Sequence, residues 1–133
     1  MNALIERLPK VELHLHIEGT LEPELMLALA ERNQIALPYK SLSAVQAAYH
    51  FDDLQSFLNL YYLGASVLVT ENDFYELMSQ YLSRACAQNI VHAEVMFDPQ
   101  THLQRGIGFE VFMSGFVRAV SYTHLRAHET DSY

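Results

Sequence analysis

The amino-acid sequence predicts an α/β fold whose sheet strands run parallel. Two short segments with a two-residue apolar repeat, residues 11–17 and 90–98, indicate strands. Longer segments with a helical repeat lie between them, and another follows the second strand. This order is typical of strand–helix–strand units, in which helices connect parallel strands.

The first strand shows a strict alternation of apolar and polar side chains over "VELHLHIE". A period of two places all the polar side chains on one side of the strand. We expect that side to face a largely dry interior, because both faces of a parallel sheet are normally covered. The polar side consists of Glu12, His14, His16 and Glu18.

Helix signals follow in order. Pro23 fits the first turn of a helix over "EPELMLALAERN", and Asp52 is the predicted N-cap of "DLQSFLNLYYLGASVL". A weaker segment between them, "PYKSLSAVQAAYHF", indicates a short helix. Thr70 with Asp73 predicts a capped start for a third long helix, which ends near Asn89.

The second strand, "IVHAEVMFD", also separates its two faces. His92, Glu94 and Asp98 share the polar face and are expected to form a supporting polar network in the interior. Pro99 and Gly106 are expected to bound a loop before a last helix, "FEVFMSGFVRAV".

The composition fits one domain, since half of the 133 residues are hydrophobic and the formal net charge is −8. No basic cluster is present to neutralise phosphates, so neither nucleic acid nor a membrane surface is expected as a partner. The single cysteine, Cys86, excludes an intrachain disulfide, and we expect it to pack as a small apolar residue in a helix. Without a signal peptide or a long apolar run, a cytoplasmic protein is expected.

Residues 121–133, "SYTHLRAHETDSY", lose the apolar repeat and resemble translated sequencing-adapter read-through. We therefore expect residues 1–120 to belong to the natural domain and the last stretch to be foreign to it. His124 and His128 lie four residues apart, a spacing that a helix can use for metal, but we do not expect them to bind one.

His14 and His16 are candidate metal ligands. Imidazoles at positions i and i+2 lie on one side of a strand and can converge on one ion, and zinc binds imidazole nitrogen at about 2.0–2.1 Å. The turn and helix that follow place the pair at the carboxyl end of a parallel strand, where α/β barrels carry their sites. The alternative is a pair of structural histidines that hydrogen-bond within a polar core.

The segments "KVELHLHIEGTLEPELMLALAERN", "FDDLQSFLNLYYLGASVL" and "HAEVMFDPQTH" resemble the adenosine/adenine deaminase family of metal-dependent hydrolases. The resemblance covers residues 1 to about 120 and implies that His14 and His16 bind zinc, one ion per full-length subunit. Glu18 stands where adenosine deaminases have an aspartate that helps hold ribose. With "FDPQTH" it is more similar to the adenine deaminase branch, whose substrate is the free base.

The resemblance also implies a substrate pocket. The family's corresponding helix walls the base pocket, which makes Phe57, Leu58 and Tyr61 candidate substrate-binding residues together with Glu18. Glu12 is expected either to orient an imidazole or to pair structurally with a residue of another strand. His102 follows the end of a strand, and an exposed loop histidine is expected there.

The family fold is a (β/α)8 TIM barrel of typically about 250 residues. With two predicted strands, the chain resembles the N-terminal part of such a barrel and is incomplete. The family's other metal ligands and its acid–base residues come from later strands, so no catalytic residue is expected here and the chain alone should be inactive. The full-length parent is expected to use zinc-activated water to convert adenine to hypoxanthine and ammonia, a purine salvage reaction.

Three alternatives remain open from the sequence. An adenosine deaminase is one, because most of the discriminating pocket comes from other strands. Metal-dependent phosphoesterases of the polymerase-and-histidinol-phosphatase type also begin with His-x-His on a first strand, although they favour more metal ligands soon after it. The third is a non-catalytic binding fragment with structural histidines, which zinc would not protect against unfolding.

Overall fold

The computed structural model describes residues 2–131, and the side chains of residues 2–123. It confirms the predicted α/β fold with two strands and several helices. The elements are α1 (Asn2–Arg7), β1 (Lys10–His16), a 3-10 helix (Ile17–Thr20), α2 (Pro23–Arg32), α3 (Leu42–Ala48), α4 (Leu54–Ala65), α5 (Glu71–Ala87), β2 (Ile90–Met96), α6 (Pro99–Gln104) and α7 (Phe109–Asp131).

The two strands pair in parallel, and the described helices pack against one face of the sheet. Leu15 of β1 pairs with Val95 of β2, and both side chains lie against the helices. On the opposite face, Val11 and Leu13 are each 59% exposed. The expectation that both faces are covered is therefore wrong for the described residues, and this second face of the sheet is open.

A β-bulge in β1 interrupts the strict alternation predicted for this strand. Glu12 pairs with Ala93 and Leu15 with Val95, so β1 uses three steps where β2 uses two. The extra residue is accommodated at His14, whose φ of 59° lies in the left-handed region. As a result, Glu12 does not share a side with the histidines.

Glu12 instead faces α5. Its Oε1 accepts a hydrogen bond of 2.6 Å from the buried hydroxyl of Tyr81. Burial, followed by this bond to Glu12, raises the pKa of Tyr81 above its ordinary value. The contact joins the sheet to the helix that covers it, so among the described residues the hydrogen-bond partner of Glu12 lies in α5.

Local capping signals set most helix starts. Pro23 begins α2, and Thr70 with Asp73 forms a capping box at α5, both as predicted. The predicted N-cap Asp52 is wrong by one position. Asp53 caps α4 instead, because its carboxylate accepts a hydrogen bond of 2.8 Å from the backbone N–H of Ser56, inside the helix.

A short helix replaces the loop predicted between Pro99 and Gly106. Asp98 is its N-cap, since its Oδ1 accepts from the N–H of Thr101 at 3.3 Å, and Pro99 occupies the first turn. The helix turns the chain back towards the edge of the sheet. This places side chains of α6 beside the turn that follows β1.

The core lies mainly between α5 and α7, where Phe74, Phe112 and Phe116 pack together. Cys86 is exposed, which corrects the expectation that it packs inside. The buried positions of α5 recur at helical spacing through Tyr81 and Ala85, and Cys86 falls outside that stripe.

Helix α7 continues past residue 120 to Asp131. The side chains of His124 and His128 lie outside the described residues, so the sequence-based expectation for them stays a prediction. Among residues 2–131, no helix has both the length and the apolar character needed to cross a membrane.

Candidate metal centre and adjoining cavity

The rings of His14 and His16 lie together at the carboxyl end of β1, with centroids 5.3 Å apart and planes at 62°. Both residues are exposed on the open face of the sheet. The prediction that the two imidazoles lie close together is confirmed. The left-handed backbone of His14 is uncommon for a residue with a side chain, and such conformations concentrate at functional sites.

The donor set fits part of a zinc site. Imidazole nitrogen is a zinc ligand, and catalytic zinc sites commonly use three protein ligands. Within the described side chains, no group of three or more His, Cys, Asp or Glu residues is arranged to hold a metal ion. His14 and His16 are therefore candidates for two ligands of a site that would need at least one more.

His92 and Glu94 lie on β2 as an exposed pair, with 3.8 Å between Nε2 and Oε2. Their side chains are 60% and 63% exposed, so the expectation of an interior network with Asp98 is wrong. The physical reason is the open face of the sheet, which leaves them in contact with solvent. They are useful as control positions because they share that face with the candidate ligands.

A cavity of about 610 Å³ adjoins His16. It lies between the turn after β1, helix α4 and the segment after β2, and its size is within the usual range for small-molecule sites. Three predicted substrate-binding residues, Phe57, Leu58 and Tyr61, line it together with His16. The structure thus brings one candidate zinc ligand and the aromatic wall to the same space.

Glu18 does not line this cavity, and its side chain is fully buried. Its Oε2 accepts from the backbone N–H of Asp98 at 2.9 Å and contacts His102 Nε2 at 2.8 Å. Its Oε1 accepts from the Tyr61 hydroxyl at 3.3 Å. Burial, and then the charge of Glu18, raises the pKa of Tyr61 above its ordinary value.

His102 is completely buried, which corrects the expectation of an exposed loop histidine. Its ring contacts Phe74 and Phe112, with centroid distances of 4.9 and 5.3 Å. Sequence reasoning missed this position because its partner Glu18 lies 84 residues away. A local signal did exist, since Asp98-Pro99 can begin a helix that turns the next residues inward.

Arg105 is the second residue that the sequence did not reveal. Its NH2 group donates to Leu68 O at 2.8 Å and contacts His102 Nδ1 at 3.2 Å. Its NH1 group donates weakly to Ser66 O, at 3.4 Å. Burial lowers the pKa of the guanidinium from its ordinary value. An arginine side chain nevertheless stays charged at neutral pH.

The sequence profile named Adenosine deaminase matches residues 9–127. The chain belongs to the adenosine deaminase family. This assignment also disfavours the phosphoesterase alternative, because the His-x-His segment falls within the matched region.

Relatives of this family show how much of a full protein is present. The chain is 60% identical over 121 residues to adenine deaminase from Vibrio parahaemolyticus, which covers 91% of this chain and 36% of that protein. The crystal structure of adenine deaminase from Arthrobacter aurescens matches with a TM-score of 0.81 at 52% identity, over 85% of this chain and 35% of that one. The chain spans about a third of the length of these relatives.

A more distant deaminase-fold relative extends the likeness in fold. An amidohydrolase from Burkholderia ambifaria, solved with bound zinc, matches with a TM-score of 0.71 at 24% identity, over 88% of this chain and 32% of that one. At that identity the likeness concerns the fold alone. The fold resembles the N-terminal part of an amidohydrolase TIM barrel, as the sequence predicted.

Proposed function

We propose that this chain is part of a zinc-dependent adenine deaminase, which hydrolyses adenine to hypoxanthine and ammonia. The observation that carries the proposal is the placement of the His14–His16 pair beside a cavity whose wall is aromatic. Family membership supports it, as do the names of the 60% and 52% identical relatives. The zinc-containing amidohydrolase is consistent with a metal centre in this fold.

His14 and His16 are proposed to bind the zinc ion through imidazole nitrogen, one ion per full-length subunit. Their backbone is held by the pairing of β1 with β2, and the bulge at His14 turns its ring towards that of His16. Zinc in such a site lowers the pKa of bound water towards about 7, which makes hydroxide available at neutral pH. The residues of this chain hold the ion, and the remaining ligands belong to other parts of the full-length enzyme.

Phe57, Leu58 and Tyr61 are proposed to bind the purine base. Their apolar and aromatic surfaces line the cavity, and a planar base packs well against such rings. Glu18 is proposed to act on substrate selection from behind this wall, because its carboxylate holds the Tyr61 hydroxyl. Because Glu18 is buried behind Tyr61, it can affect the shape of the wall although it does not itself line the cavity.

The chain by itself is proposed to be inactive. Within the described side chains, the candidate centre has two imidazoles and no third group arranged for metal. The open sheet face also exposes Val11 and Leu13, which favours self-association of the isolated chain. Purified alone, it should release no measurable ammonia from adenine or adenosine, and robust release by a monodisperse sample would contradict this proposal.

The proposed activity is tested by a chimaera in which residues 1–120 replace the corresponding segment of the Vibrio parahaemolyticus adenine deaminase. At 60% identity the replaced segment should pack against the rest of that barrel. We expect zinc uptake and ammonia release from adenine, with adenosine as the poorer substrate. A zinc-loaded, folded chimaera that deaminates neither compound would refute the proposal, and one that prefers adenosine would reassign the branch.

Residues 121–133 are proposed to lie outside the deaminase domain. The support is the loss of the apolar repeat after Val120. The family match extends to residue 127 and so includes the first part of this stretch, which makes the truncation a direct test. A chain truncated after Val120 should keep the Tm and the zinc affinity of the full chain. A marked fall in Tm on truncation would show that the stretch belongs to the fold.

A further inference from the structure

A buried chain of side chains runs from Arg105 through His102 to Glu18. It connects α6, which follows β2, with the 3-10 helix that follows β1. The side chains of His102 and Glu18 are both fully shielded from solvent. No step of the proposed hydrolysis uses His102 or Arg105, so the complete burial of His102 beside a partly buried guanidinium calls for another role.

Arg105 determines which nitrogen of His102 carries the ring proton. A guanidinium has only donors, so its contact of 3.2 Å with Nδ1 requires that nitrogen to accept. The neutral ring then carries its proton on Nε2 and donates it to Oε2 of Glu18 over 2.8 Å.

The imidazole has little freedom to move. The Phe74 ring lies nearly perpendicular to it, at 4.9 Å between centroids, and Phe112 packs at 5.3 Å. Arg105 is itself tied to the segment between α4 and α5 by its bond to Leu68 O. The orientation of His102 is therefore set by this segment together with α5 and α7, between which the main core lies.

Glu18 connects His102 to two residues that line the cavity. Its Oε2 also accepts from the N–H of Asp98, and its Oε1 accepts from the Tyr61 hydroxyl. Asp98 and Tyr61 both line the cavity, on different elements. A rotation of the Glu18 carboxylate would shift both of these contacts at once.

We propose that His102 is a positioning residue of the cavity: held by Arg105 with its proton on Nε2, it orients Glu18 and thereby fixes Tyr61 and Asp98 as one wall. The nature of the occupant, a purine base, rests on the proposed function. The positioning role itself rests on the contacts alone.

The first test reads the tautomer directly in the 133-residue chain. With ¹⁵N-labelled histidine, His102 should show a protonated Nε2 and an unprotonated Nδ1 at neutral pH. In Arg105→Met the Glu18 carboxylate still requires the proton on Nε2, but the ring loses the contact that holds its Nδ1 side, and we expect the ¹³C signals of labelled Tyr61 to move away from their wild-type positions. A proton on Nδ1 of the wild-type ring would overturn the proposal.

The second test compares two substitutions of His102. His102→Gln keeps an N–H donor near the position of Nε2, whereas His102→Leu removes the donor and retains an apolar side chain of similar bulk. With ¹³C-labelled tyrosine, the Tyr61 signals should change in His102→Leu and stay close to wild type in His102→Gln. Leu29→Ala, in the buried part of α2, is the control for lost stability and should leave the Tyr61 signals in place.

Binding of adenine is the third readout. Loss of the donor should weaken adenine binding about tenfold in His102→Leu, with recovery in His102→Gln, because one buried acceptor loses its partner. Zinc affinity should be equal in all these variants, since His14 and His16 are untouched. If His102→Leu and His102→Gln have the same Tyr61 signals and the same adenine affinity, His102 contributes packing alone and the positioning role is wrong.

Failure of the proposed function has a different outcome. If the wild-type chimaera takes up zinc but deaminates neither adenine nor adenosine, the functional proposal fails, while the tautomer and the Tyr61 signals still decide the positioning role. If the chimaera is active but the Tyr61 signals change as much in Leu29→Ala as in His102→Leu, the positioning role fails alone. If His102→Leu does not fold, Arg105→Met carries the test through the Tyr61 signals.

Discussion

Nε2 of His102 lies 2.8 Å from Oε2 of Glu18, and neither side chain is exposed to solvent. Glu18 follows β1, whereas His102 and Asp98 follow β2, so the hydrogen bonds from His102 and from the Asp98 N–H to Glu18 join the carboxyl ends of the two parallel strands. That edge is where α/β barrels place their active sites. A buried carboxylate is tolerated only when its oxygens have partners, so these bonds constrain both segments.

Glu18→Gln should be tolerated far better than Glu18→Ala. An amide can place its oxygen at the Oε2 position, where His102 and Asp98 donate, and its NH2 group opposite Tyr61, whose hydroxyl can turn to accept. The alanine removes the acceptor of three donors, the ring N–H of His102, the backbone N–H of Asp98 and the Tyr61 hydroxyl, which costs about 1–3 kcal/mol for each one that stays buried and unpaired. Urea denaturation at neutral pH measures the free energy of unfolding of each variant. Equal losses of this free energy in Glu18→Gln and Glu18→Ala would contradict this account.

Alanine at His14 or at His16 should each lower zinc affinity at least about tenfold, because each removes a proposed ligand. Competition with a zinc-binding dye measures the change in the isolated chain. His92→Ala is the matched control, since that imidazole is also exposed on the open face but is paired with Glu94. Unchanged zinc affinity after loss of both His14 and His16 would remove the proposed metal centre.

The sequence predicts the elements that carry local signals. Pro23 marks α2, and the Thr70–Asp73 pair marks α5, because caps and helical repeats depend on residues a few positions apart. The same locality explains the error at α4. Asp52 and Asp53 both satisfy the N-cap pattern, and only the helix geometry selects the second of them.

Other features depend on contacts between distant residues. The burial of His102 requires Glu18 and the rings of Phe74 and Phe112, which come from three different elements. The left-handed φ of His14 also has no signature in the sequence, since glycine or asparagine would be the usual signal. The candidate ligands were nevertheless identified, because a His-x-His pair in a strand is a local pattern.

Because of Asp73, the free energy of unfolding should fall steeply as the pH becomes acid. Its carboxylate is buried and accepts hydrogen bonds from Arg32, Asn33 and the N–H groups of Val69 and Thr70. Burial raises its pKa, but these bonds outweigh burial and the net pKa is lowered. Because the folded pKa lies below the unfolded one, the stabilisation is complete above the ordinary range of aspartate and is lost as pH falls through the folded pKa.

Asp73→Asn should therefore lose about 1–3 kcal/mol at pH 7, since an amide cannot serve all the donors. The difference from wild type should begin to shrink as the pH falls below about 4, where aspartate in the unfolded chain takes up a proton, and should be smallest once the folded carboxylate is protonated as well. Asp52→Asn, at an exposed position, is the control and should differ little from wild type at any pH. A difference for Asp73→Asn that is independent of pH would contradict the assigned charge.

Gly115→Ala should destabilise the fold although alanine favours helices. A Cβ at Gly115 would lie 2.5 Å from the backbone oxygen of Glu71 and 2.9 Å from Cβ of Phe74, so α5 and α7 would have to separate. Overpacking of this kind costs about 1–3 kcal/mol, more than the gain of about 1 kcal/mol from helix propensity. Gly108→Ala is the control, because the nearest neighbour of a Cβ there is the flexible side chain of Glu110, at 3.4 Å. Thermal unfolding compares the two, and a Gly115→Ala variant as stable as wild type would show that the helices can separate freely.

Glu18→Asp should shift the chimaera towards adenosine. A side chain shorter by one methylene cannot hold His102, Asp98 N–H and the Tyr61 hydroxyl at their present positions together. The wall around Tyr61 should relax and leave more room for a ribose beside the base. Since one methylene is worth about 1–3 kcal/mol in a pocket, the adenosine-to-adenine ratio of kcat/KM should rise by about one to two orders of magnitude.

The change should leave zinc content equal to that of the parent chimaera, because Glu18 is turned away from the rings of His14 and His16 and towards His102. Glu24→Asp, an exposed acid in the first turn of α2, is the matched control and should leave the kcat/KM ratio unchanged. Steady-state kinetics with both substrates at saturating zinc gives the ratio. If the adenosine-to-adenine ratio of kcat/KM stays constant while stability clearly falls, Glu18 supports the fold without shaping the pocket. If the ratio rises at constant zinc content, Glu18 contributes to substrate selection although it does not line the cavity.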